Sequence, residues 1–322
     1  MTPATGKFPQ AQKIIERATN IILATHIDAD GDAIGSMLAL KLGLEKIGKN
    51  ITAFCATGAP PELKFLPESD QIKSALAGPN ADSVIGLDYG SVDRLRLPEQ
   101  YPNPAFPSLT FDHHLVGRHV GLAVADSDLS STSELIYFFL NFLGIGINPE
   151  IALCLLCGIF DDTGGFRHPN TNPQTLQIVS ALLLKGASLP KIAKNIAQNN
   201  WPTELNLYKR LFTQFEIDEQ TGLAFSFIDY RTLNEIGTDF RTSNAISILS
   251  AVPQARLAVL LTEKTPGHID GTLRSQADRQ INVAEIARAF GGGGHALAAG
   301  FTSDLSAQEI VEKIKALARK ND

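Results

Sequence analysis

Histidines and aspartates recur in four short runs of this sequence: His26-Ile27-Asp28-Ala29-Asp30-Gly31-Asp32, Asp88 in Gly86-Leu87-Asp88-Tyr89-Gly90, Asp112-His113-His114, and Asp161-Asp162-Thr163-Gly164-Gly165. Imidazole and carboxylate together suit Mn²⁺, Fe²⁺ or Zn²⁺, and no thiolate stands in any of the four runs. Carboxylates crowded into one site repel one another unless cations lie between them, so the set itself predicts metal. A carboxylate has two oxygens and can bridge two ions. Two ions about 3.5–4 Å apart can share an attacking hydroxide and stabilise a leaving oxygen. Any one of these aspartates alone reads more simply as a turn or a helix cap, Asp32 as the N-cap of the helix that follows it. The set outweighs that reading, because independent turns have no reason to supply His26, His113 and His114 as well. Asp28 and Asp161 are read as turn or cap residues.

The runs sit where strands end. Ile21–Thr25, Ile51–Ala56, Ser83–Leu87, Leu109–Phe111 and Gly121–Ala125 are short, apolar and β-branched, without the alternation of a half-exposed strand. Asp32–Gly48 reads as a helix with Met37, Leu40, Leu44 and Ile47 on one face. Ser131–Leu143 and Pro149–Phe160 also read as helices, the first with a capping box of Ser131 and Glu134. Alternation of strand and helix implies an α/β fold with a mostly parallel sheet flanked by helices. In such a sheet ligands bind outside the carboxyl ends of the strands. Residues 173–211 read as helical, with a break at Asn199–Thr203. After about Thr213 the pattern becomes a smaller mixed α/β domain: a hairpin of Phe215–Ile217 and Leu223–Ile228, a strand pair of Arg256–Leu261 and Ile269–Arg274, and helices at Ala284–Phe290 and Ala307–Leu317. The expected division is 1–200 for the metal-binding domain, 201–212 for a linker or hinge helix carrying Trp201, and 213–322 for a substrate-binding domain.

Composition narrows the function classes. The 322 residues carry a net charge of −6 and 7% aromatic residues, which argues against a protein that coats nucleic acid through a basic, aromatic-studded surface. A short anionic substrate remains open, since bound cations supply local positive charge. No apolar run reaches the length of a membrane span, and the N-terminal residues lack a secretory pattern. Three cysteines, Cys55, Cys154 and Cys157, fit a reducing cytoplasm. Cys154-x-x-Cys157 has redox spacing but lies in an apolar helical run, so both are read as core residues. His119, His168 and His268 are read as surface or locally bonded, and Arg167 as a salt-bridge residue or a substrate contact in equal measure.

Taken in order, these runs resemble the motifs of the DHH family of phosphoesterases, with Asp112-His113-His114 as its name-giving triad. The later run Gly291-Gly292-Gly293-Gly294-His295-Ala296-Leu297-Ala298-Ala299-Gly300 resembles the signature of the DHH-associated C-terminal domain. The resemblance extends from about residue 10 to 320 and is closest to the compact NrnA-like group. It implies cytoplasmic hydrolysis of short oligonucleotides or dinucleotides to mononucleotides, and of 3′-phosphoadenosine 5′-phosphate to AMP, with two divalent metal ions, Mn²⁺ foremost. In the pattern so implied, His26 and Asp30 hold one metal, Asp32, His113 and Asp162 the other, and Asp88 bridges them. His114 faces the scissile phosphate, Asp112 orients the histidines, and hydroxide attacks phosphorus. Ala29, Asp161 and Gly117 depart from the usual proline, threonine and asparagine, and none removes a ligand. Family members are often dimers, so a homodimer is within what the resemblance allows.

The glycine run lets a backbone approach an anion closely. Gly292, Gly293 and Gly294, with His295 and with Arg274 at the end of a predicted strand, are therefore the expected grip on a far phosphate or terminal nucleotide. A short cleft between the domains would then admit dimers to pentamers. The competing readings are a cyclic or linear dinucleotide messenger phosphodiesterase, a pyrophosphatase or polyphosphatase, a RecJ-like single-strand exonuclease, and a non-catalytic nucleotide sensor. The last would be expected to have lost a ligand, and every ligand position here is filled.

Overall fold

The computed structural model describes residues 3–76, 81–98, 108–114, 119–197, 201–236, 242–279 and 281–319. Gly117, Asn199 and Asn200 lie outside these residues, and the side chain of Trp201 lies outside the described side chains. The chain divides into two compact units, Met1–Gln198 and Asn199–Asp322.

In the first unit α1 (Phe8–Arg17) is followed by β1 (Asn20–Ala24), α2 (Gly31–Glu45), β2 (Asn50–Phe54), β3 (Ser83–Leu87), β4 (Leu109–Asp112), β5 (Leu122–Ala125), α3 (Thr132–Phe142), α4 (Pro149–Asp162), α5 (Pro173–Leu184) and α6 (Leu189–Ala197). All five strands run parallel in the order β2-β1-β3-β4-β5. Every residue of β3 is buried, as a central parallel strand covered on both faces must be. The chain leaves β1 through α2 to reach β2 on one side, then crosses to β3 on the other. The topological switch therefore lies between β1 and β3, where a crevice opens at the carboxyl ends of the strands. His26 follows β1 and Asp88 follows β3, on its two sides.

Helix α2 differs from its one-faced reading. It is buried almost all round, and Ile47, expected on its apolar face, lies beyond its end and is 49% exposed. The reason is its packing against α3 and α4. A Cβ added at Gly35 would stand 2.5 Å from the Cys154 carbonyl, and one at Gly158 would stand 2.7 Å from Oδ1 of Asp32. Glycine at both positions lets the two helices approach closely. The long helical reading after residue 173 is interrupted earlier than expected, where Gly186 (φ +95°) ends α5.

The second unit contains α7 (Trp201–Thr213), β6 (Glu216–Asp218), β7 (Leu223–Ile228), α8 (Tyr230–Ile236), α9 (Thr242–Ser250), β8 (Leu257–Thr265), β9 (His268–Ser275), α10 (Val283–Arg288), β10 (Gly293–His295), β11 (Ala298–Ser303) and α11 (Ala307–Ala318). Its sheet has the order β10-β11-β9-β8-β7-β6, with β7 and β8 parallel and the other pairs antiparallel. Ile286, Ile310 and Ile314 cover one face over Val259, Leu261 and Leu273. Leu207, Leu211, Ile246 and Leu249 cover the other over Ala258 and Leu260. Helix α7, expected as a linker, thus packs on this sheet. The glycine run enters the sheet: Gly293–His295 forms β10, antiparallel to β11. Among the described residues no single helix is long and apolar enough to cross a membrane.

Candidate functional site

The carboxyl ends of β1, β3 and β4 and the end of α4 bring the sequence-predicted residues together. Three groupings place one donor atom per residue within 4.8 Å of the others: His26 with Asp30 and Asp88, Asp32 with His113 and Asp162, and Asp88 with His113 and His114. Nε2 of His113 stands 3.6 Å from both Asp88 Oδ1 and Asp162 Oδ2, and Nε2 of His26 stands 4.0 Å from Asp30 Oδ2. These separations are too long for hydrogen bonds.

Local structure decides which oxygen of each acid is free. Asp30, not Asp32, is the N-cap of α2: its Oδ1 accepts from the backbone N–H groups of Asp32 and Ala33, and Oδ2 is left towards His26. Asp32 is buried and points away from the cap. Asp161 accepts the Gly31 N–H at 2.6 Å, and a Cβ at Gly31 would lie 2.6 Å from the Asp161 Cβ, so that glycine is required by close approach. Asp88 adopts φ +50°, a conformation costly for a residue with a side chain. His26 Nδ1 is 2.6 Å from the Ile27 carbonyl, which fixes the proton there and leaves Nε2 as the ligand atom.

Burial and neighbouring charge set the protonation of the cluster. Burial, then the charges of Asp88 and Asp30, push the Asp162 carboxyl up to about 8. Burial, then Asp88 and Asp162, likewise raise Asp32 well above the carboxylate range. Burial also works to raise Asp88, but a hydrogen bond from His114 and the charge of His113 outweigh it and hold Asp88 low. Burial lowers His113 and keeps its imidazole neutral, with its hydrogen bond to the Leu129 backbone leaving Nε2 as a lone-pair donor. Asp32 and Asp162, raised first by burial and then by neighbouring carboxylates, stand beside the neutral His113 imidazole, whose Nε2 bonds neither, and this donor chemistry fits divalent cations.

Asp112 is fully buried and works through hydrogen bonds alone. Its Oδ1 accepts from the backbone and the Nδ1 of His114, both at 2.9 Å. Its Oδ2 accepts from Tyr89 N, Gly90 N and His119 Nε2 at 3.1, 2.8 and 3.1 Å. Burial opposes its ionisation, but these donors, His114 first, hold it down at about 2. Of the paired histidines it orients only His114, whose imidazolium it and Asp88 stabilise to about 10. His119, read from sequence as surface or locally bonded, is largely buried as this second partner of Asp112.

Several supporting residues escaped the sequence reading. Arg94, six positions after Asp88, supports the turn after His26 through its carbonyl, which accepts the Ile27 N–H at 2.9 Å. Asn170 reaches the Ser130 carbonyl at 2.9 Å and the Asp162 carbonyl at 3.3 Å. The expected capping box is half formed: Ser131 caps the Glu134 N–H, but Glu134 reaches back to Ser130 instead of the cap residue. Asp28 forms an exposed turn (φ +53°). Arg167 donates to the Gly164 carbonyl, His168 bonds the Asp162 carbonyl, and His268 pairs with Asp304. Cys154 and Cys157 are buried, and burial raises both thiols.

In the second unit the ladder aligns His295 with Ala298, and Ala298 with Arg274. Directly paired antiparallel residues share a face, so His295 and Arg274 flank a small alanine on one face, about 10 Å apart at the backbone. Arg274 Nε is buried with no hydrogen-bond partner among the described residues. Thr272 and Asp270 follow Arg274 on that face, and a cavity of about 510 Å³ lined by Thr262, Thr272, Gly292, Gly300 and Thr302 lies along it. The glycines divide the work. A Cβ at Gly292 would meet the Gly300 carbonyl at 2.2 Å, and one at Gly294 (φ +144°) the Ala298 carbonyl at 2.5 Å. Gly293 instead faces open space.

The family model described as DHH family, N-terminal domain, matches residues 20–159, and the DHHA1 domain model matches residues 228–320. The chain is 29% identical over 307 residues to the bifunctional oligoribonuclease and PAP phosphatase NrnA of Thermus thermophilus, covering 93% of this chain and 89% of the relative. It is 28% identical over 313 residues to the protein of the same name from Bacillus subtilis, covering 94% and 96%. In fold it resembles an exopolyphosphatase-related protein from Bacteroides fragilis (TM-score 0.85, 24% identity, covering 98% and 96% of the two chains). It also resembles RecJ from Thermus thermophilus in complex with Mn²⁺ (TM-score 0.59, 15% identity, covering 98% of this chain and 55% of RecJ).

Proposed function

This chain belongs to the DHH family of metal-dependent phosphoesterases and carries the DHHA1 domain beside the DHH domain, and from that membership we propose that it hydrolyses short oligonucleotides and dinucleotides to mononucleotides and 3′-phosphoadenosine 5′-phosphate to AMP. The observation that carries the reading is the convergence of His26, Asp30, Asp32, Asp88, His113 and Asp162 at the switch point of the parallel sheet. In this reading His26, Asp30 and Asp88 hold one divalent ion and Asp32, His113 and Asp162 a second, with Asp88 shared and Mn²⁺ the preferred metal. When bound, such ions polarise a phosphoryl oxygen and lower the pKa of water.

The chain's own groups supply the rest. His114, kept protonated through Nδ1 by Asp112, has Nε2–H to offer a phosphate oxygen. Residues 213–322 act as the substrate-binding domain: Arg274 and His295 hold a second phosphate, and Gly293 leaves room for it. Two anchors of this kind suit a substrate with two phosphate-type groups, which favours dinucleotides and the nucleoside bisphosphate over a long strand. Three buried free thiols suit the proposed cytoplasmic setting.

The test is side-by-side turnover of a dinucleotide, an RNA of roughly 24 nucleotides, 3′-phosphoadenosine 5′-phosphate and pyrophosphate, each with Mn²⁺ and then with chelator. The expected result is fast, chelator-sensitive loss of the dinucleotide and the bisphosphate and slow loss of the long RNA. Turnover of pyrophosphate alone, or equal rates on long and short RNA, would overturn the reading.

A further inference from the structure

The first turn of α3 touches three residues of the proposed metal centre. Thr132 is fully buried. Its hydroxyl accepts the His113 backbone N–H at 3.2 Å and lies 3.0 Å from Asp88 Oδ1. A hydroxyl has a single proton. With the His113 N–H donating into one of its lone pairs, that proton goes to Asp88. The backbone N–H of Thr132 donates to Asp32 Oδ2 at 2.6 Å, and that of Ser133 to Asp32 Oδ1 at 2.8 Å. Both oxygens of one proposed ligand and one oxygen of another are therefore aimed from this turn.

The turn is itself anchored from behind. Glu134 is fully buried, and its Oε2 accepts from the Ser130 N–H at 3.0 Å, the Ser130 hydroxyl at 2.7 Å and the Thr175 hydroxyl at 3.1 Å. Its Oε1 accepts from Gln174 at 2.9 Å. Helix α5 thus holds the turn that holds the acids. Asp88 has particular use for such support, because its left-handed backbone is not a conformation it keeps unaided.

We infer that Thr132 is a positioning residue of the metal centre, its hydroxyl directing Asp88 and His113 and its amide directing Asp32, with Glu134 fixing it in place. The inference rests on the metal reading above. Groups that orient metal ligands in this way typically change metal affinity 10–100-fold when removed. Thr132→Val keeps the shape and deletes the hydroxyl, and Thr132→Ser restores it.

The experiment titrates Mn²⁺ into the full chain and both variants, reading free Mn²⁺ by electron paramagnetic resonance, and records thermal unfolding of each metal-free protein. The expected result is binding at least about tenfold weaker in folded Thr132→Val and affinity near that of the unaltered chain in Thr132→Ser, with a metal-free Tm lower in the valine variant alone, since its His113 N–H and Asp88 lose a partner. A merely structural role would lower the metal-free Tm of the valine variant but leave the affinity of its folded form intact. Unchanged affinity in Thr132→Val, or serine as weak as valine, overturns the inference while the metal reading stands. An unaltered chain that takes up no Mn²⁺ overturns both. If the valine variant does not fold, Thr132→Ala takes its place in the same titration.

Discussion

The acid cluster of the first unit and the Arg274–His295 row of the second are built on opposite principles. In the first, side-chain orientation is fixed by neighbours: Asp30 by its cap, Asp32 by α3, and His114 by Asp112. The cluster is acidic and self-repelling, with Asp32 and Asp88 buried and Asp30 and Asp162 partly exposed. In the second, Arg274 has a buried Nε without a partner among the described residues, and its surroundings are small or exposed: Gly293, His295, Ala298 and Gly300. One region has its donor groups held by hydrogen bonds, and the other leaves an arginine beside small and exposed residues. The difference is the one the proposed roles require: chemistry at phosphorus demands fixed geometry, whereas holding a distant phosphate demands room and a donor.

The sharpest way to break this comparison is Asp88→Asn. Losing the shared carboxylate should cut turnover roughly a thousandfold or more while leaving the fold intact. Turnover within about tenfold of the unaltered chain would remove Asp88 from the centre. Arg274→Ala should lower kcat/KM by about 10–100-fold through one lost charged hydrogen-bonding group. It should leave Mn²⁺ affinity unchanged and Tm no lower, because the removed group is partly buried and unpaired. Weaker Mn²⁺ binding in that variant would merge the two regions into one.

The acid cluster also predicts a pH dependence. Metal-free Asp162 titrates near 8 against about 4 in an unfolded chain. The folded state then binds more protons, so stability present below about pH 4 is lost as pH rises through about 8. His114, raised to about 10, acts in the same sense above about 6.5. Asp112, held down at about 2, acts oppositely but only below about 4. Thermal unfolding in chelator should therefore show Tm falling from pH 5 to 8, and Mn²⁺ should raise Tm more at pH 8 than at pH 6. A flat profile would count against a self-repelling cluster. The smallest effects separate the glycines. Gly292→Ala should cost about 1–3 kcal/mol from overpacking, and Gly293→Ala should leave Tm unchanged and weaken substrate binding a few-fold. Equal Tm losses would place both in the hairpin alone.

Much of the fold was legible. Parallel strands buried on both faces carry continuous apolar runs, so β3 was read with the bounds it has. Helices α8 and α9 were not read, and neither were β10 and β11, because these short segments take their form from the sheet they pack on or join. For the candidate site, residue types and spacing singled out acids and histidines that the fold brings within 4.8 Å of one another in three groups.

Which acid caps α2 was decided only by folding. Asp30 takes the cap, and Asp32 accepts two N–H groups from α3. His119 became a buried partner of Asp112 because of where the chain returns after the triad. The sequence by itself determined the candidate donors and the alternation of strand and helix, because both follow from side-chain chemistry and local periodicity. The tertiary structure alone decided the direction of each donor, because that is set by contacts such as Thr132 to Asp32, 100 residues apart, which no local spacing encodes.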